Sequence, residues 1–296
     1  MSVTIKDITS TQTVLNADDY FELQENAGTS KKTMWSTIRD TLASFIGAGS
    51  TVYKQASYAI LDGDGYGRIE VNTTAGAATI TLPLMANNIG RKITIAFVKN
   101  DASADVVTIS PHATDANKLS NDGLGSIILP KVGDYVSFVQ SSNSGLWEIT
   151  DESITSQLRL NTYAGFGSTD TKIMRFTNVV QNIGNMFSEN HVSGYSGNAK
   201  GLEITINRSG RYSFSFSSVV GSTFDIGLSL NSTELTTTIT MINVDHKLAL
   251  GGSNGSGGNV GISCYLKKGD IIRTHSDGVA SAVANRSVFT ASYLGN

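Results

Sequence analysis

The sequence predicts a mainly β protein in three parts: a helix-containing N-terminal segment over residues 1–50, a small β unit over 51–152, and an antiparallel sandwich or jelly roll over 153–296. Short runs rich in Val, Ile, Thr, Phe and Tyr recur from residue 51 onward, separated by Gly, Asn and Asp. Several runs alternate apolar and polar residues, the period that turns one face of a strand to a core and the other to water. Helical periodicity is confined to one N-terminal stretch. A chain of 296 residues suits two domains plus accessory segments, at roughly 150 residues per domain.

In the first part, Thr29 or Ser30 is a candidate N-cap, and Met34, Trp35, Ile38, Leu42, Phe45 and Ile46 then recur at three- and four-residue spacing until Gly47. The apolar stripe is wide for so short a segment. Trp35, Ile38, Leu42 and Phe45 are therefore expected to form an attachment surface, for copies of the chain or another protein. The competing reading packs the same stripe on the next unit of its own chain.

In the second part, Ala78–Leu82, Lys92–Val98, Val106–Ile109, Ser126–Leu129, Tyr135–Val139 and Leu146–Ile149 read as strands. Pro83, Pro111 and Pro130 each follow such a run, where a missing backbone donor costs least. The stretch DGDGYGRIEVNT, Asp62–Thr73, opens like a calcium-binding EF-hand loop. That loop needs oxygen ligands at its first, third and fifth positions and a bidentate carboxylate at its twelfth, where Tyr66 and Thr73 break the pattern. Strand-like flanks make it a Gly/Asp turn. In the third part, Gly210–Phe216 turns Tyr212, Phe214 and Phe216 to one face and Ser213 and Ser215 to the other; Leu202–Ile206 and Phe224–Leu230 also alternate. Strands without helical crossovers argue for an antiparallel sandwich.

Composition and motifs narrow the chemistry. Lys plus Arg number 22 against 25 Asp plus Glu, so a net charge of −3 gives no footprint for nucleic acid or an anionic membrane. No basic leader with an apolar core precedes the chain, no apolar run suits a membrane span, and Cys264 is the single cysteine, so synthesis in a cytoplasm is expected and membrane insertion is not. His112, His191, His246 and His275 lack metal-ligand spacing. Gly251–Gly255 matches G-x-S-x-G, but the glycines after it disfavour the helix a nucleophile elbow requires. Asp245–His246, if on a strand, point to opposite faces, and Asp18–Asp19 and Asp151–Glu152 sit at segment boundaries, where solvated charge is expected. No catalytic residue, metal or cofactor is assigned.

Arg175–Phe187, then Gly201–Ile206 and Gly210–Phe214, then Leu266-Lys-Lys-Gly-Asp270 and Phe289–Leu294, resemble the C1q and tumour necrosis factor-like jelly roll over about 120 residues. The resemblance implies a homotrimer, with the strand bearing Tyr212, Phe214 and Phe216 packed around its three-fold axis and variable loops free for recognition. Asp18–Gln24, Thr29–Thr33 and the helix that follows are similar to the N-terminal adaptors of tailed-bacteriophage fibre and receptor-binding proteins; Tyr58–Asp62, Ile80–Pro83 and Trp147–Ile149 look like a β module of phage structural proteins. Together these imply a virion fibre or spike whose N-terminus joins another virion structural protein and whose knob binds a host-surface glycan or protein, through residues not assigned. A capsid decoration or head-fibre protein is the alternative. A surface-polysaccharide depolymerase is the third class, to be marked by a solenoid shaft with clustered carboxylates.

Overall fold

The computed structural model describes residues 2–4, 20–24, 30–34, 50–100, 105–190, 200–218, 224–253, 257–277 and 287–296. Strands β1 (Ser2–Thr4), β2 (Tyr20–Gln24) and β3 (Ser30–Met34) form a small antiparallel sheet. The expected helix onset is thereby corrected: Ser30, a candidate N-cap, opens β3, and Met34, the first apolar residue of the stripe, closes it. Ser30-Lys-Lys-Thr has no apolar side chain to anchor a helical turn, whereas strand-prone Tyr20–Gln24 offers it a complete antiparallel register. Trp35, Ile38, Leu42 and Phe45 lie outside the described residues.

The second unit comprises β4 (Ser50–Lys54), β5 (Tyr58–Ala59), β6 (Tyr66–Asn72), β7 (Ala78–Thr81), β8 (Lys92–Lys99), β9 (Val107–Ser110), β10 (Ile127–Leu129), β11 (Tyr135–Ser141) and β12 (Leu146–Ser153). One sheet runs β12-β11-β8-β6-β4 and the other β10-β9-β7-β5. From β4 to β9 the chain alternates between the sheets, and neighbours within each sheet are parallel. A hairpin cannot join parallel neighbours. Here the return path is a strand of the facing sheet, so this stretch winds as a short coil with no α-helix among its described residues. Ile69 and Val71 of β6, Ile80 of β7, Ile93, Ile95 and Phe97 of β8 and Ile109 of β9 fill it and are buried. Alternation reveals which residues face a core, but it is the same for both strand polarities, so the sequence did not disclose the parallel pairing.

The third unit contains β13 (Gln157–Phe166), β14 (Met174–Ile183), β15 (Phe187–Glu189), β16 (Ile204–Ile206), β17 (Gly210–Ser218), β18 (Phe224–Leu230), β19 (Lys247–Ser253), β20 (Gly258–Leu266), β21 (Ile271–Ser276) and β22 (Val288–Gly295). They form two antiparallel five-stranded sheets, β14-β13-β22-β17-β20 and β15-β16-β21-β18-β19. The chain crosses between the sheets at β14–β15, β16–β17, β17–β18, β19–β20, β20–β21 and β21–β22, the winding of a jelly roll. The Leu266–Asp270 turn joins β20 to β21. Gly269 there has φ +90°, and the Asp270 carboxylate accepts from the backbone N–H of Lys267 at 2.8 Å.

Tyr212, Phe214 and Phe216 point inward, as their alternation predicts, but not to an intersubunit axis. All three are at most 1% exposed within the single chain. Phe216 meets Phe176 edge-to-face at 6.2 Å, and Tyr212 meets Phe187 at 5.4 Å and Tyr293 at 5.2 Å between ring centroids. Their assignment to a trimer core is corrected on this ground: the rings fill the interior of their own sandwich and leave no face for another copy. The outward residues of β17 are Arg211, Ser213, Ser215 and Ser217.

Candidate functional site at the junction of the two β units

Strand β12 ends at Ser153 and β13 starts at Gln157, so the chain passes between the units in three residues, Ile154–Ser156. Asp134, on the tight turn before β11, accepts from the Lys131 N–H at 2.9 Å, the Thr155 N–H at 3.1 Å and the Thr155 hydroxyl at 2.9 Å. Burial pushes its carboxyl above the usual range, against the pull of those donors.

A second tie comes from the loop before β10. Leu119 is fully buried and bridges both Leu124 and Trp147, while the Ser120 N–H donates to the Trp147 carbonyl at 2.8 Å. That anchor presents the tip of the loop to the third unit. There Asp122 accepts from the Ser209 N–H at 2.7 Å and the Ser209 hydroxyl at 2.6 Å, and its carbonyl accepts from Lys268 Nζ at 2.8 Å.

The third tie is a buried ion pair. Glu152, near the end of β12, approaches Arg208, between β16 and β17, at 2.7 Å, with side chains 5% and 2% exposed. That approach is Coulombic rather than a directed hydrogen bond, since neither facing atom has a hydrogen-bond partner among the described residues. Glu152 also accepts from the Tyr293 hydroxyl at 2.6 Å, and the Tyr293 ring lies 5.4 Å from the Arg208 guanidinium. Burial raises the Tyr293 phenol, so it stays a neutral donor. Arg208 Nε and Nη1 have no hydrogen-bond partner among the described residues. The expectation of solvated charge at Asp151–Glu152 is thus corrected for Glu152: a position between strands in sequence is here an interface between units in space. Asp151 accepts from the Tyr135 hydroxyl at 3.2 Å.

Beside these ties lies a cleft of about 340 Å³, shared by Asn121, Asp122 and Glu148 of the second unit and Tyr265, Lys267 and Asn296 of the third. A hollow of about 240 Å³ between Ile149–Glu152 and Leu294–Asn296 continues it. No sequence motif marked the cleft, because its residues come from five separate segments. The one available signal was Tyr265, an aromatic on the polar face of an alternating strand.

The other sequence candidates fall elsewhere. In the Asp62–Thr73 stretch, Asp62 accepts from the Asn87 and Asn88 amides at 2.5 and 2.7 Å, bonds that hold its carboxyl below the usual range. Asp64 accepts from the Tyr58 hydroxyl and the Leu61 N–H, and the Arg91 guanidinium donates to the loop's Leu61 and Asp64 carbonyls. Asp62–Gly65 form a turn that leads into β6, and both carboxylates are committed to hydrogen bonds within the second unit. Gly251–Ser253 belongs to β19, paired with β18, and the next described element is strand β20. Asp245–His246 lie in a short 3-10 turn rather than on a strand, with His246 Nδ1 2.9 Å from the Leu230 carbonyl. His191 and Asp18–Asp19 lie outside the described residues. Burial raises the Cys264 thiol. Among the described residues, no group of three His, Cys, Asp or Glu side chains is placed to hold a metal, and no helix is long and apolar enough to cross a membrane.

His275 of β21 carried no signal in the sequence, yet it is fully buried, with Nε2 2.5 Å from the Thr237 carbonyl and Nδ1 without a partner among the described residues. Burial lowers its pKa despite that bond and nearby Asp277 and Glu234. The unfolded chain, with an ordinary His pKa of about 6.5, takes up the proton that the fold resists. Stability is therefore full above that pH and lost as pH falls through it toward the depressed folded value. Thermal melts from about pH 8 to about pH 5 are expected to fall more steeply for the wild type than for His275→Gln, which keeps a donor for Thr237 and cannot titrate. Parallel profiles would exclude His275 as the source.

No family model matches the sequence, and no curated protein does. Solved structures do. Murine APRIL is similar at 12% identity, over 47% of this chain and 99% of its own, with a TM-score of 0.35. The bushbaby GITRL structure is similar at 17% identity, over 48% of this chain and 96% of its own, with a TM-score of 0.29.

Proposed function

We propose that this chain is a non-enzymatic adhesion component of a bacteriophage particle, a homotrimeric fibre or spike whose N-terminal segment joins another virion protein and whose C-terminal knob, with its junction cleft, meets the host surface. The observation that carries the reading is the triple tie between the β units. An attachment protein must hold its terminal unit at a fixed orientation on its stalk, and Asp134–Thr155, Asp122–Ser209 and Glu152–Arg208 provide that coupling without a long linker. Three copies would bind by avidity, where the effective concentration of linked sites multiplies a modest single-site affinity. The resemblances of Asp18–Gln24, Thr29–Thr33 and residues 58–149 to phage structural proteins support the virion setting and synthesis in a bacterial cytoplasm.

Deletion of residues 1–50 is expected to leave a soluble trimer that labels host cells but no longer joins particles. Fluorescence binding to cells, light scattering and a particle-incorporation assay read the three properties separately. If the trimmed protein labels no host while particles lacking residues 153–296 adsorb normally, the decoration role replaces the adhesion role. Release of sugar from host polysaccharide by the trimmed protein would make it a depolymerase.

A further inference from the structure

We infer that the cleft between the two β units is a saccharide-binding site, in which a short glycan segment lies on the ring of Tyr265 and is hydrogen-bonded by Asn121, Glu148, Lys267 and Asn296. The inference deepens the adhesion reading and rests on it.

Tyr265 is 57% exposed near the end of β20, an edge strand of its sheet. Its outward neighbours along the strand, Asn259, Gly261 and Ser263, are polar or small and include no second aromatic ring. A tyrosine ring at the mouth of a polar cleft offers flat apolar area with a polar edge. A pyranose ring has the complementary form: one face of C–H bonds that can lie on an aromatic ring, and a rim of hydroxyls that both donate and accept.

The rest of the lining suits that rim. Among the described residues, the side chains of Asn121, Lys267 and Asn296 make no hydrogen bond to the protein, and Glu148 uses one oxygen, accepting from the Ser144 hydroxyl at 2.7 Å. The cleft thus holds uncommitted amide and ammonium donors together with amide and carboxylate acceptors, the mixed set a polyol needs. An anionic phosphate ligand fits poorly, since Asp122 and Glu148 oppose Lys267, and an apolar ligand fits poorly because all these groups would lose water unpaired. The volume of about 340 Å³ lies at the small end of ligand sites, roughly 300–1,000 Å³. The adjoining hollow lets a chain of sugars continue past Asn296.

The test uses the full chain and saturation-transfer NMR against glucose, galactose, rhamnose, N-acetylglucosamine, N-acetylgalactosamine and disaccharides built from them. Transfer to the ring protons of at least one sugar is expected. Tyr265→Ala should weaken binding about tenfold or more, equivalent to roughly 1.4 kcal/mol, with an unchanged melting temperature. Tyr265→Phe should retain most of the affinity, and Asn121→Ala should weaken it several-fold. No transfer to any sugar, or transfer indifferent to both Tyr265→Ala and Asn121→Ala, overturns the inference. Cell adhesion separates this failure from that of the adhesion reading. Adhesion that survives Tyr265→Ala and is removed by protease treatment of the cells leaves adhesion standing with a protein ligand. Sugar binding by a chain that adheres to no host cell keeps the saccharide site and removes the adhesion role.

Discussion

Glu152→Ala is expected to destabilise the chain by about 3–5 kcal/mol, because it leaves the Arg208 guanidinium buried without its counter-charge. Arg208 is 1% exposed, and among the described residues its Nε and Nη1 have no hydrogen-bond partner to take over from the lost carboxylate. Tyr293 loses its acceptor in the same substitution. Urea unfolding followed by tryptophan fluorescence reads the loss, since Trp147 is buried on the same strand as Glu152. A double variant with Glu152→Leu and Arg208→Met should return close to wild-type stability, because it removes the desolvation cost along with the attraction. A loss below about 1 kcal/mol in Glu152→Ala, the range of surface pairs, would mean that water reaches the junction in solution.

Phe216→Ala is expected to cost about 3–5 kcal/mol through the cavity it opens against Phe176 and the other rings of the sandwich. Its consequence differs from that of an interface substitution. An interface residue would lower the mass of any assembly while each jelly roll stayed folded, whereas Phe216→Ala should lower the unfolding midpoint of the jelly roll itself. Sedimentation and urea melts on one variant separate the outcomes. Dissociation to stable, folded monomers would restore Phe216 to an interface.

Strands with a clean local pattern were legible, whereas β4, β13, β19, β20 and β21, which lack one or carry several glycines, went unread. Gly210–Phe216 alternates, and Pro83, Pro111 and Pro130 do stand at strand ends. Pairing was less legible. The parallel neighbours β4, β6 and β8 are joined through strands of another sheet, a relation that alternation cannot encode. The trimer-core assignment failed for a related reason: alternation says that Tyr212, Phe214 and Phe216 turn to something apolar, but not whether it belongs to the same chain. The junction was hidden most fully. Glu152 and Arg208 are far apart in sequence, and a carboxylate at the end of a strand has the same local appearance whether water or a guanidinium faces it.

Strand order in the jelly roll also bears on how the protein is made. Strand β22 is the middle strand of β14-β13-β22-β17-β20, yet it is the last of the five to leave the ribosome. Until it arrives, β13 and β17 have no neighbour to bridge them, and the hairpin β13–β14 and the pair β17–β20 remain half-sheets with unpaired edges. The sheet therefore closes only after translation of its final strand, through contacts of long sequence separation that form slowly. A ribosome that stops early releases a chain without the strand carrying Phe289 and Tyr293, one that cannot complete the sandwich or supply the phenol to Glu152. Such a fragment exposes its sheet edges to proteases and chaperones, so the strand order acts as a check that only chains extending through β22 complete the jelly roll.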